Sequence, residues 1–438
     1  MRFIRYNFNI MEDWISIKHL TYGGIMMEIN TNKSWLERNL TNRWYQLIVA
    51  SLAMMMISNL QYSWTLFTTP LVDKLDSNLI AIQYAFTLFV MFQTFIQPAG
   101  GYLFDRFGSK LVFSISGLLV SIGWVMMGRV TTLSALYFFY SMSGVGAAVI
   151  YSGCVGISIK WFPDKRGLAT GIIAGAFGLG SMPFVPLIDG IISTSGVTNA
   201  FGIIGLIQGI VIIIAAFILR NPVNAVVKKG DEKKDQKQAK PSFNPLQMLR
   251  TPHFWFIWTM AFAVNVGGLI ITANSKAFGK SLLISPSTIV FAVMMTSLAN
   301  GLGRVFWGWV SDRLGRSKTM FVSFGLNAIF LFILPIAGSQ GEFAYVVALM
   351  LVMFTWGQLF SLFPSLNADL FGSAFSAANN GFLNSSKGFA AILGGGLGAY
   401  LANTYGWTVV FSFAAVMSLY ASLMSLVLPK LSKPIKHG

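Results

Sequence analysis

Predominantly apolar runs recur twelve times along the chain, at about 44–66, 80–102, 111–129, 134–158, 167–191, 198–219, 254–275, 286–309, 319–338, 343–366, 376–402 and 407–429. Each is roughly 18 to 25 residues long, and at ~1.5 Å per residue a helix of that length crosses a hydrocarbon core of ~30 Å. Backbone groups inside a bilayer must bond to one another, which helices do within themselves. The pattern therefore predicts an all-α membrane protein of twelve transmembrane helices.

The chain is also a duplication. The segment Gly101 to Lys110, GYLFDRFGSK, returns as Gly308 to Lys318, GWVSDRLGRSK, 207 residues later. A weaker match pairs WFPDKRGLATG, from Trp161, with LFGSAFSAANNG about 209 residues on. Both matches keep the same place in their halves, so two pseudo-symmetric six-helix bundles are expected at 44–220 and 251–430. Between them lies a linker at 221–250 whose KKGDEKKDQKQAK run is too charged to bury anything. A 43-residue lead and a short tail, 431–438, complete the chain.

Composition sharpens the topology. With 55% hydrophobic and 11% charged residues, the chain lacks the polar surface that a water-soluble globule needs. Its net charge of +16 would draw attention to nucleic acid if the cations shared one exposed face. Instead, 25 of the 31 Lys and Arg fall in the lead, alternate connections and the tail, with only Lys74, Arg129, Lys276 and Lys280 on the opposite side. This positive-inside bias places both termini and the linker in the cytoplasm and gives no nucleic-acid partner; the partner is the lipid bilayer. Two cations, Arg304 and Lys387, are left inside apolar spans. The single cysteine, Cys154, lies in a span and allows no intrachain disulfide. The lead has no secretory signal, and MEINTNKSWLERNL would serve as a short cytoplasmic start at Met26 or Met27.

The repeated motif has a recognisable form, G-x-x-x-D-R-x-G-x-[RK]. Its first copy is Gly101, Asp105, Arg106, Gly108 and Lys110, and its second Gly308, Asp312, Arg313, Gly315 and Lys318, with Arg316 in addition. It resembles the signature between helices two and three of the major facilitator superfamily. Glycines permit a tight reversal and close helix approach, and the aspartate can pair with cations or a neighbouring helix end. The expected role is a latch that holds the two bundles together in one conformation and releases in another. From Arg43 onward the strings NRWYQL, QYSWTLF, WFPDKRGLATG, MLRTPHFW, FTWG and GGGLGAY resemble the oxalate/formate antiporter family, which exchanges small carboxylates. That resemblance implies a monomer in a bacterial inner membrane.

Lys387 stands about eleven residues into its span, ~16 Å deep, where insertion of a lysine costs at least ~2.5–3.5 kcal/mol. No acidic residue in its helix can neutralise it. Arg304 lies about five residues from the cytoplasmic end of its span, within reach of headgroups. The family resemblance implies that this Arg and Lys form the anion site, a planar fork for one carboxylate and a point charge for another. It also implies a cage of Gln61, Tyr62, Tyr151, Trp356 and Phe360. Two positions depart from the family pattern: Asn384 stands where an aromatic is expected, and Phe360 replaces a tyrosine. Loss of a bulky ring at 384 widens the cavity and adds an amide that can hydrogen-bond, which leaves oxalate itself open and admits a somewhat larger or hydroxylated carboxylate.

His19, His253 and His437 lie outside the spans or at their edges, and Asp189, near the outer end of span five, is the one acidic residue well within a span. A proton symporter usually carries its proton on an intramembrane carboxylate or histidine. Anion exchange is therefore favoured over the alternative, a proton-coupled monocarboxylate symporter. A transporter-like sensor would need a signalling domain beyond the twelve spans. An enzyme would need clustered ligands or a nucleophile with its base, and none is readable. No cofactor and no metal are expected. Glycines 171, 175, 178 and 180, followed by Pro183 and Pro186, and glycines 394 to 396 and 398, occupy corresponding places where helices could slide.

Overall fold

The computed structural model describes residues 42–162, 166–220, 242–372 and 375–431. The lead with its alternative starts, the charged run of the linker, most of the tail and the side chain of Asp105 lie outside the described residues.

The N-terminal half runs through α1 (Arg43–Tyr62), α2 (Trp64–Lys74), α3 (Leu79–Phe95), α4 (Gln97–Met127), α5 (Leu133–Trp161), α6 (Arg166–Leu179) and α7 (Phe184–Ile218). A short α8 (Pro245–Leu249) precedes the C-terminal half: α9 (Pro252–Ser281), α10 (Pro286–Leu314), α11 (Arg316–Gly338), α12 (Glu342–Trp356), α13 (Leu359–Phe371), α14 (Ser376–Gly394), α15 (Gly396–Tyr405) and α16 (Trp407–Ser425). Helix starts carry the side chains that satisfy their free N–H groups. Asn78 accepts from the amide of Ala81 at 2.9 Å, Thr132 from Ala135 at 3.3 Å and Thr251 from Phe254 at 3.2 Å.

All of these helices but the short α8 form the twelve spans, since several spans are broken and α4 and α7 each run on into a second span. The first is α1 and α2, bent by 46° at Ser63; the second is α3 and the start of α4, bent by 45° at Ile96. The fifth breaks between α6 and α7, the tenth between α12 and α13, and the eleventh at Gly395, between α14 and α15. The reversals between spans are abrupt where one glycine takes a positive φ. Gly108 (77°) and Gly315 (83°) do so in the two motif copies, 207 residues apart. Without a Cβ, glycine enters this region at no steric cost. Gly196 (82°) and Gly406 (83°) form a further pair, 210 residues apart, inside a shared T-x-G-x-T-x-x-F pattern: Thr194, Thr198 and Phe201 match Thr404, Thr408 and Phe411.

The halves meet along span two against span eleven and span five against span eight. Both crossings are close for the same reason. A Cβ on Gly178 would lie 2.7 Å from the Cα of Gly301, and one on Gly388 would lie 2.5 Å from the Thr94 hydroxyl. These contacts are related by the repeat, since Gly388 follows Gly178 by 210 residues and Gly301 follows Thr94 by 207. Hydrogen bonds between halves gather toward the end of the bundle away from the termini. There Gln83 Nε2 donates to Ala273 O (2.6 Å) and Asn274 Oδ1 (3.0 Å), and Lys276 Nζ donates to Leu66 O (3.0 Å).

The last part of the expected linker is folded. Phe243 is buried, donates its amide to Phe371 O at 2.9 Å and accepts from Asn379 Nδ2 at 3.1 Å. Asn244 and Gln247 then cap α8 reciprocally. This docking ties the start of the second half to the junction of spans ten and eleven.

Candidate functional site

The broken spans converge. Gln61 and Tyr62 end α1 at its bend, Gln93 and Gln97 flank the bend of span two, Phe177 precedes the break of span five, and Phe360 follows that of span ten. Backbone freed at such breaks needs partners inside a bilayer. Ser58 Oγ donates to Phe177 O at 2.5 Å, and Ser297 Oγ to Gly178 O at 2.7 Å. Discontinuous helices of this kind place polar groups at mid-depth without exposing them to lipid.

Arg304 and Lys387 meet at this centre. Arg304 is 2% exposed, so it is buried in protein and does not reach the headgroups that its position near a helix end allowed. It donates to Asn300 Oδ1 (3.2 Å), Ala174 O (2.7 Å) and the Tyr62 hydroxyl (3.1 Å). Lys387, 4% exposed, donates to Gln61 Oε1 at 2.8 Å and Gln93 Oε1 at 2.9 Å. Both cations lie over the same two rings. Arg304 Cζ is 4.4 Å and Lys387 Nζ 5.6 Å from the Phe360 centroid, and they stand 5.7 and 5.8 Å from that of Phe177. Neither forms a salt bridge with an acidic side chain among the described residues. Two like charges, desolvated and neutralised only by dipoles and ring faces, attract an anion strongly.

Lys387 takes the carbonyl oxygens of both glutamines and so turns their amide nitrogens elsewhere. Gln61 Nε2 and Gln93 Nε2 are buried with no hydrogen-bond partner among the described residues. An unpaired buried donor costs ~1–3 kcal/mol, so each is available to an acceptor that enters the site. Beside them is a cavity of about 10 Å³, lined by Gln93, Gln97, Tyr151, Phe177, Phe360, Asn384 and Lys387. That is room for about one water molecule.

Of the residues expected from sequence, Gln61, Tyr62, Tyr151, Phe360 and Asn384 stand around the two cations. Tyr151 meets Phe177 edge-on at 5.4 Å, and Asn384 Nδ2 donates to Gln97 Oε1 at 3.0 Å. Trp356 is placed one layer back. It is fully buried, edge-on to Phe360 at 5.3 Å, with its indole packed over Gly268 and away from the cavity. Sequence reading missed Gln93, Gln97, Phe177 and Asn300. The glutamines had a signal: 93 and 97 are four apart in an apolar span, hence on one face of it. A phenylalanine in such a span has none.

The described side chains of the repeated motif pair within their own halves, not across them. Arg106 donates to the Tyr102 hydroxyl at 3.0 Å, and Lys110 lies over Phe217 at 5.0 Å. In the second copy, Arg316 bonds Asp312 at 2.8 Å and approaches Asp369, at the end of span ten, at 3.6 Å. In this conformation the ties of these described side chains lie within each half. Gly101 and Gly308 occupy matching places, a Cβ on either lying 3.9 Å from a serine, Ser152 and Ser361.

Tyr62 offers a limited test of how Arg304 is held. Tyr62→Phe removes one donor–acceptor contact and little volume, so a site that uses Arg304 should lose about five- to tenfold in apparent substrate affinity, the worth of about one hydrogen bond. Competition binding, with maximal rate measured alongside, checks this.

Two homologous six-helix halves enclosing buried cations at mid-depth define a multi-pass membrane carrier. The family model of the Major Facilitator Superfamily matches residues 47–281 and again 267–438. The oxalate:formate antiporter of Oxalobacter formigenes is 44% identical over 398 residues, 91% of this chain and 94% of that one. A 38 kDa protein encoded in a 23S RNA operon of Thermoproteus tenax is 26% identical over 395 residues, 90% of this chain and 97% of that one. The MFS-type transporter YhjX of Escherichia coli K12 is 26% identical over 358 residues, covering 80% and 86%. The chain belongs to the major facilitator superfamily and, within it, to the oxalate/formate antiporter family.

Proposed function

We propose that the protein exchanges small carboxylates, oxalate and formate among them, across a bacterial inner membrane by alternating access, as a monomer with both termini in the cytoplasm. The observation that carries this reading is the pair of buried cations, Arg304 and Lys387, which share two aromatic rings and no acidic partner among the described residues. A carboxylate would take the Arg304 fork and the Lys387 ammonium, with the free amides of Gln61 and Gln93 as further donors. Tyr62, Tyr151 and Phe360 would exclude water, which strengthens every charge contact inside.

Exchange follows from the same electrostatics. Reorientation without an anion would carry two uncompensated like charges through an occluded form; a bound carboxylate removes that cost. The halves rock about the close crossings at Gly178 with Gly301 and Gly388 with Thr94. With the termini cytoplasmic, the ties of Gln83 and Lys276 close the outer side. Proteoliposomes loaded with labelled oxalate should release it at least ~10-fold faster into oxalate or formate than into carboxylate-free medium, the ratio for ~1.4 kcal/mol of extra barrier. Equal rates in both media would refute obligatory exchange.

A further inference from the structure

Of the two cations, Lys387 is the one in the cavity's lining. Beside it and Tyr151 the lining carries neutral amides, Gln93, Gln97 and Asn384, and the repeat explains how that amide wall is related to the anion site. Gln97 precedes Arg304 by 207 residues, the offset of spans two and eight; Ala174 precedes Asn384 by 210, the offset of spans five and eleven. The bond from Arg304 NH1 to Ala174 O (2.7 Å) thus has a pseudo-symmetric counterpart in the bond from Asn384 Nδ2 to Gln97 Oε1 (3.0 Å). One half of the carrier presents a guanidinium where the other presents an amide pair.

We infer that Gln97 and Asn384 form a second, uncharged subsite that selects carboxylates bearing a hydroxyl group. This rests on the carboxylate reading above. The chemistry follows from what the pair offers: one N–H donor from Asn384 and one acceptor, Gln97 Oε1, already facing each other. A hydroxyl is at once donor and acceptor. Inserted between them, it accepts from Asn384 Nδ2 and donates to Gln97 Oε1, so no polar group is left unpaired. A methylene in the same place would break the amide pair and return nothing, leaving both groups buried without partners.

Distance along the helix puts the subsite in reach of the same small molecule. Asn384 is one turn from Lys387 on α14, and Gln97 lies one turn from Gln93, which is itself bonded to Lys387. A carboxylate held at Lys387 therefore has the amide pair within the length of a few carbon atoms. The Arg304 end binds charge, and the Gln97 end binds a neutral polar substituent.

The test uses acids matched in all but one hydroxyl, malate against succinate and tartronate against malonate, as competitors of labelled oxalate exchange in proteoliposomes of the full-length protein. In the wild type, the hydroxylated member of each pair should compete about tenfold better, the worth of one net hydrogen bond. In Asn384→Leu, and separately in Gln97→Met, that ratio should fall to about one, whatever each substitution does to the affinity for the unsubstituted acids. Ratios near one in the wild type, or ratios that survive both substitutions, would overturn the subsite and leave carboxylate exchange standing. Failure of the wild type to exchange any carboxylate would instead remove the functional reading, and the subsite with it.

Discussion

Lys387→Gln should lower carboxylate exchange by at least ~30-fold, because truncating one member of a buried charge contact costs ~2–5 kcal/mol or more. The same substitution should leave the protein as heat-stable as the wild type, or more so. Lys387 is desolvated, faces Arg304 across shared rings and is held only by two glutamine carbonyls. Removing such a charge relieves a folding cost, and a neutral amide still fills much of its volume. Transport assays and thermal unfolding in detergent, run on the same preparations, separate the two effects. A lysine kept for structure would show the reverse, with stability lost and residual exchange roughly in proportion to folded protein; that outcome would remove Lys387 from the site.

Gly178→Leu should be comparably severe for a mechanical reason. At Gly178, span five crosses span eight so closely that an added Cβ would lie 2.7 Å from backbone and 3.3 Å from Arg304 Nε. Backbone has no rotamer by which to yield, so the crossing opens and Arg304 shifts from its bonds to Ala174 and Tyr62. A displacement of ~1 Å at a binding group can cost ~100-fold, which is the expected fall in exchange. Gly175, one turn earlier on the same helix, meets nothing within 4 Å. Gly175→Ala should keep exchange within about twofold and gain up to ~1 kcal/mol of helix stability. Equal tolerance at both positions would mean that the 178–301 crossing is not a working surface.

Glycines in this chain therefore divide into kinds that spacing alone does not separate. Residues 171, 175, 178 and 180 read alike along the helix, yet Gly178 and Gly180 abut neighbouring backbone, while Gly171 and Gly175 face open space. The positive-φ glycines were more legible. Gly108 and Gly315 stand in an obvious repeat, and the T-x-G-x-T-x-x-F pattern around Gly196 and Gly406 is equally present in the sequence, although shorter and easier to overlook.

The span count was legible because hydrocarbon imposes a length and a polarity that few soluble helices meet. Span eleven is the instructive exception to simple apolarity. It carries Asn379, Asn380, Asn384, Ser385, Ser386 and Lys387, and its place in the repeat, more than its hydropathy, marks it as a span. Arg304 and Lys387 announced themselves for the converse reason: a cation in an apolar span is costly enough that its presence demands a partner or a function.

The sequence by itself determined the twelve spans, the duplication, the two intramembrane cations and the family, since each depends on composition or spacing along one chain. Tertiary structure alone decided which side chains share the cavity: that Gln93 joins Gln61 on Lys387, that Phe177 lies beneath both cations, that Trp356 stands behind Phe360, and that Gln97 pairs with Asn384. All of those contacts but that of Trp356 with Phe360 join residues more than a hundred positions apart, on helices whose rotation and breaks are set by packing against neighbours, and no local pattern encodes them.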